Sequence, residues 1–164
     1  MFSQAQFGVY KGVIDAITDA VTQEFGLTEV HFSAPTFITR TMGTDGWEPT
    51  ATHDEYWHLH VDKNNTAHYD YSGLLYLNEY GEDFDGGLLT FHDNEDGDEA
   101  PDLEIEPLPG RLLLFTAGRE HPHRVGRVTR GTRYVLSFWF SCDASKAFGT
   151  FLDGKVHGRF GEEL

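Results

Sequence analysis

One cysteine, Cys142, stands in 164 residues, so no intramolecular disulfide can form and the fold cannot depend on an oxidising compartment. Cys142 reads as a small buried apolar residue. No apolar run approaches the roughly 18 residues of a spanning helix. The start, MFSQAQFGVYKG, carries no basic segment followed by an apolar one. These absences lead us to expect a soluble cytoplasmic protein with no membrane partner. Basic residues are scarce as well: 12 Lys and Arg face 27 Asp and Glu, a formal charge of -15. Such a surface repels phosphate, which argues against nucleic acid and favours a neutral or cationic substrate. Internal repeats, low-complexity stretches and dividing linkers are absent too. The length suits one core, so a single domain over 1–164 is expected.

What is present is 39% hydrophobic and 14% aromatic residues, a globular balance rich in Phe and Tyr for packing on sheets. Phe7, Tyr10, Ile14, Ile17, Val21 and Phe25 recur at intervals of three and four, with Asp15, Asp19 and Glu24 between them. This predicts an amphipathic helix over 7–25, stopped by Gly26. The rhythm then changes to period two. Strands are predicted near 28–33, 36–42, 56–62, 71–78, 87–92, 103–106, 111–116, 121–128 and 132–141. A leading helix followed by many short strands points to a mainly β fold with flanking α, a jelly roll over about 28–142. The tail 143–164 is expected to cover the barrel, with a short helix near 144–152.

In YWHLHVD, alternation along a strand puts His58, His60 and Asp62 on one face, so two of them could bind one metal. A second imidazole would complete a two-His, one-carboxylate facial set that leaves three coordination positions open. His121 and His123 of GREHPHRV are the candidates. The turn VTRGT then folds TRYVLSFWF back, placing Arg133 beside His123 across a hairpin.

His60-x-Asp62, then His123 and an Arg ten residues later, resembles the iron and 2-oxoglutarate dioxygenases of the prolyl 4-hydroxylase type. YSGLLYLN, GGLLTF, PGRLLLF, PHRVGRV and GTRYVLSFWF extend the likeness over Trp57 to Cys142. The resemblance implies a double-stranded β-helix with a supporting N-terminal helix. It implies iron ligation by His60, Asp62 and His123, and catalytic participation of Arg133, which would pair with the distal carboxylate of 2-oxoglutarate while Tyr76 donates to the same group. Fe(II), 2-oxoglutarate and O2 are the implied cofactors, with ascorbate as reductant and a prolyl or other side chain of a peptide or protein as substrate. Asp62 occupies the place that related halogenases leave open for halide, so hydroxylation is expected. The chain departs from the pattern at Thr50, near where many prolyl hydroxylases carry a pocket Tyr; Trp47 or Tyr56 is the candidate substitute.

Other signals have plainer readings. Residues 93–102, DNEDGDEAPD, resemble a calcium loop, but His92 would take the first ligand position and Glu104 closes one residue late, so a solvated hairpin tip is expected. This loop and 79–85 offer acidic charge to a basic substrate segment. Gly86 and Gly87 precede a strand, not a helix N-terminus, and read as a hairpin entry. His31, His53, His68 and His157 receive no role, and His58 and His121 read as packing or supporting residues. A cupin-type metalloprotein would need a Glu where Asn64 and Asn65 stand. A nucleic-acid demethylase would need Arg119, Arg124, Arg127 and Arg130 to form a patch. A binding module on the same fold would turn over no 2-oxoglutarate.

Overall fold

The computed structural model describes residues 3–43, 48–50, 56–93 and 101–148. These form two compact units, one of residues up to Pro35 together with those from Phe140 onward, the other of Thr36–Trp139. The chain is mainly β, with a jelly-roll core and an N-terminal helix.

In the first unit, α1 spans Gln4–Glu24. It begins a turn earlier than the apolar period suggests, because Ser3 and Gln6 form a capping box: each side chain bonds the other's backbone N–H, satisfying two otherwise orphaned donors. The S-x-x-Q signature was available in the sequence. Ile14, Ile17 and Val21 are buried as the period requires, and Gly26 takes the left-handed conformation (φ 63°) that ends the helix. A two-residue strand, β1 (His31–Phe32), pairs antiparallel with Phe140 and Ser141, and the rings of Phe32 and Phe140 lie 4.2 Å apart. Of the helix predicted over 144–152, Ala144–Lys146 form a 3-10 turn, with Asp143 accepting from the Ser145 N–H, and 149–152 lie outside the described residues. Cys142 is exposed, contrary to the buried reading, because it follows the last paired residue, where alternation no longer turns it inward.

The second unit holds β2 (Phe37–Met42), α2 (Asp62–Asn65), β3 (Tyr71–Tyr76), β4 (Phe84–Gly86), β5 (Leu89–Phe91), β6 (Leu103–Ile105), β7 (Leu112–Thr116), β8 (His123–Val125) and most of β9 (Val128–Ser141). The larger sheet runs β9-β3-β7, with β2 and β4 also paired to β9; the smaller runs β6-β5-β8. Leu89, Phe91, Ile105 and Val125 of the small sheet close on Leu74, Leu113 and Phe115 of the large one, forming the core between them. Residues 94–100, expected to form a solvated hairpin tip, lie outside the described residues, as does the tail from 149. No described helix is long and apolar enough to cross a membrane.

Two strand expectations change. The segment 56–62 is not a strand: only His60 bridges, to His123, before the chain turns into α2. The supposed hairpin of 121–128 and 132–141 does not exist either. β8 pairs with β5, and β9 runs unbroken through the predicted turn. Gly131 (φ 71°) permits this, since a Cβ there would lie 2.0 Å from the Asp83 carbonyl oxygen of the segment entering β4. The left-handed glycine that reads as a turn is therefore a close approach between paired strands.

Candidate metal and co-substrate site

His60, Asp62 and His123 each offer a ligand atom, and the three atoms lie within 4.8 Å of one another. Alternation on a strand is not what gathers them. His60 and His123 exchange two backbone hydrogen bonds of 2.9 Å, placing their rings 4.4 Å apart. Asp62 is brought in by helical turning: α2 starts at this residue, and the Lys63 N–H is tied to the Ala117 carbonyl at 2.9 Å. Asp62 Oδ1 then sits 3.5 Å from His60 Nε2, and Oδ2 sits 3.9 Å from His123 Nε2.

Both imidazoles are oriented alike. The His58 carbonyl lies 2.9 Å from His60 Nδ1, and the His121 carbonyl lies 3.0 Å from His123 Nδ1. A carbonyl only accepts, so Nδ1 carries a proton, and in the neutral ring Nε2 presents its lone pair to the shared centre. His58 and His121 thus orient the His60 and His123 rings through their backbone carbonyls. The His121 ring packs near Phe91 and Phe115, with Nδ1 2.9 Å from Thr116 Oγ1.

The charge balance suits a cation. Burial would raise the Asp62 carboxyl, but hydrogen bonds from His60, Ser72 and Trp139 and the field of His123 outweigh it and hold the group below the usual carboxylate value. His60 is pushed above 6.5 first by its hydrogen bond to Asp62, whereas burial lowers His123 and keeps it neutral. Two imidazoles and one carboxylate are the donor set of a non-haem Fe(II) centre.

Arg133 does not reach the site across a hairpin from His123; it enters on β9, opposite Thr41 of β2. β3 and β9 are neighbours, and alternation gives them a shared face. At one end Ser72 and Trp139 bond Asp62; at the other the Arg133 guanidinium lies 5.5 Å from the centre of the Tyr76 ring. The four steps along the strand from Ser72 to Tyr76 span about 13 Å at strand rise. Arg133 is 4% exposed and Tyr76 0%; they influence one another electrostatically, yet among the described residues Arg133 Nε and Nη2 and the Tyr76 hydroxyl make no hydrogen bond of normal geometry. Buried orphaned donors are costly, and together they make a receptor for a carboxylate. Burial raises the Tyr76 phenol, so it stays protonated and able to donate, and burial lowers Arg133 from a value far above neutrality. The donor set and the orphaned groups therefore fit Fe(II) and a dicarboxylate such as 2-oxoglutarate.

Gly87 makes room for the arginine: it is left-handed (φ 66°), and a Cβ there would stand 3.0 Å from Arg133 Cδ and 2.8 Å from Val128 Cγ2. Tyr56 also belongs to this end. Its hydroxyl accepts from the Val128 N–H at 3.0 Å, and its field reaches Arg133. Trp47, the other candidate for the missing pocket Tyr, lies outside the described residues.

Ser72, Trp139 and the two supporting carbonyls escaped the sequence reading. YSGLLYLN and TRYVLSFWF were noted, but which of their residues face Asp62 depends on strand pairing. His92, buried at 4% and 3.1 Å from Thr90 Oγ1, was also missed as a packed polar group. His53 and His157 fall outside the described residues. Of the acidic loop 79–85, Asp83 accepts from the Glu79 N–H and Asp85 pairs with Arg130. Arg127 lies over Trp57 at 4.8 Å, so Arg127 and Arg130 of the supposed basic patch are engaged locally.

Comparison with known proteins agrees with this geometry. Residues 49–141 match the model of the 2OG-Fe(II) oxygenase superfamily. Over 145 residues the chain is 39% identical to human "2-oxoglutarate and iron-dependent oxygenase domain-containing protein 3", covering 87% of this chain and 43% of that protein. It is 43% identical over 74 residues to mouse "Prolyl 3-hydroxylase 2", covering 45% of this chain and 10% of that one. A crystal structure of a Pseudomonas putida prolyl-4-hydroxylase superposes with a TM-score of 0.53 at 26% identity, covering 80% of this chain and 64% of that one. The chain spans less than half the length of the curated relatives it matches.

Proposed function

The chain belongs to the 2OG-Fe(II) oxygenase superfamily, and from that premise we propose that it hydroxylates a prolyl or other side chain of a peptide or protein. His60, Asp62 and His123 would hold Fe(II), and Arg133 and Tyr76 would hold 2-oxoglutarate. Fe(II) bound there supplies the reaction with O2 that converts 2-oxoglutarate to succinate and CO2 and places the second oxygen atom in a C–H bond. The side chains bind and orient. His60 and His123 present Nε2, and Asp62 brings the negative charge. Arg133 grips the far carboxylate through paired N–H groups, and Tyr76 adds a hydroxyl donor. The burial of Arg133 and Tyr76 keeps water from competing for that carboxylate.

The observation that carries this reading is the buried Arg133 and Tyr76 on the β3–β9 face that reaches Asp62: among the described residues, Nε and Nη2 of the guanidinium and the phenol oxygen make no hydrogen bond of normal geometry. A structural ion pair would leave no such donors open. For the substrate, the relatives named as prolyl 3-hydroxylase and prolyl-4-hydroxylase support a prolyl ring. They differ in the ring carbon named, so the proposal stops at the ring. A groove of about 460 Å³, lined by Trp57, Gly87, Thr90, Arg124 and Arg127 among others, has room for an extended peptide.

The test is anaerobic titration of the Fe(II) protein with 2-oxoglutarate, watching for the visible charge-transfer band of the chelate. The band should form in wild type and be missing in His123→Ala; turnover of a peptide library then addresses the substrate. A cupin-type site would keep its metal in Asp62→Ala, whereas the site proposed here would lose it.

A further inference from the structure

We propose that Ser72 and Trp139 are positioning residues that make Asp62 a one-oxygen ligand, an inference that rests on the metal assignment above. Ser72 Oγ donates to Asp62 Oδ2 at 2.6 Å, and Trp139 Nε1 donates to the same atom at 3.1 Å. A carboxylate oxygen has two lone-pair sites, and both on Oδ2 are engaged. Oδ1, facing His60 Nε2, is left for the cation.

The two donors come from neighbouring strands, Ser72 on β3 and Trp139 on β9, so rotating the carboxylate to chelate through both oxygens would break both bonds. Ser72 is 2% exposed, which keeps water from replacing its hydroxyl. Trp139 is held as well: Tyr69 stacks on it (5.3 Å, 16°) and Phe37 packs edge-on at 5.8 Å, fixing where the indole N–H points. Held through one oxygen, Asp62 with the two imidazoles would leave more of the ion's coordination positions open to a 2-oxo acid and O2 than a carboxylate held through both oxygens. The pair therefore protects an open coordination position as well as tightening the metal.

The experiment uses the full chain and Co(II), whose visible spectrum reports coordination number without turnover. Trp139→Phe keeps an aromatic ring against Tyr69 and deletes the N–H; Ser72→Ala deletes the hydroxyl. Each should weaken Co(II) binding about tenfold, and the double variant about a hundredfold. The double variant's Co(II) spectrum should also change, while metal-free Trp139→Phe melts like wild type. If Ser72→Ala fails to fold, Trp139→Phe decides alone. Wild-type Co(II) affinity and spectrum in Trp139→Phe would overturn the proposal, as would a loss confined to Ser72→Ala. Failure of the underlying metal assignment looks different: wild type would not bind Co(II), or His123→Ala would bind it equally well.

Discussion

Replacing Arg133 by Met should separate stability from function in an unusual direction for a buried residue. Arg133 is 4% exposed, and its Nε and Nη2 make no hydrogen bond of normal geometry among the described residues. Each such orphaned donor costs about 1–3 kcal/mol. Met keeps an unbranched stem beside Gly87 and removes those donors, at the loss of a contact with the Tyr76 ring worth about 0.5–2 kcal/mol. The Tm without 2-oxoglutarate should thus be unchanged or higher, at about 2–4 °C per kcal/mol for a chain of this size. Binding should move the other way. Two charge-assisted hydrogen bonds at about 1.5–3 kcal/mol each amount to about 3–6 kcal/mol, or about 10²- to 10⁴-fold in 2-oxoglutarate affinity. Calorimetric titration of the metal-loaded protein measures that loss, and thermal melts with and without 2-oxoglutarate measure the stability. Wild type should melt higher with saturating 2-oxoglutarate and the variant should not. Wild-type affinity in Arg133→Met, or a Tm many degrees lower without co-substrate, would refute the claim that this guanidinium waits for a carboxylate.

Tyr76→Phe removes one donor to the same carboxylate and should raise the KM for 2-oxoglutarate about 10- to 100-fold with metal affinity unchanged, as read by initial rates and metal titration. Asp62→Ala should abolish detectable Fe(II) binding in an equilibrium assay, because it deletes the anion that both imidazoles face. Gly87→Ala should lower the Tm and weaken 2-oxoglutarate binding together, since its Cβ would press on Val128 and Arg133 from a left-handed backbone. Metal affinity should depend on pH with a definite sign: His60 is raised above 6.5 by Asp62 and must shed its proton to ligate. The apparent affinity should fall about tenfold per unit as pH drops below that raised value and level off above it, in titrations run across the window. A flat profile there would count against His60 as a ligand.

Much of this molecule is legible in its sequence where physics is local. The three-four period of Ile14, Ile17 and Val21 marks the buried face of α1, and Ser3 with Gln6 marks its start. Alternating aromatic and branched residues mark β2, β3, β5 and β7 to within a few residues. His60, Asp62 and His123 stand out as candidates from their residue types and order, and the structure brings the three together; the parts proposed for Arg133 and Tyr76 come from the family resemblance. β4 was overlooked because FDG, short and rich in turn formers, looks like a loop until Gly131 of β9 receives it.

Which residues meet, and by what path, was settled by partners far along the chain. YWHLHVD alternates like a strand, but backbone bonds from His60 to His123 and from Lys63 to Ala117 bend it into a bridge and a helical turn. Gly131 has the same left-handed preference in a turn as in a close approach between strands, and only the Asp83 carbonyl opposite it decides which. Side-chain type and period are properties of neighbours in sequence; register is a property of two distant segments, and Ser72 and Trp139 reach Asp62 through register alone.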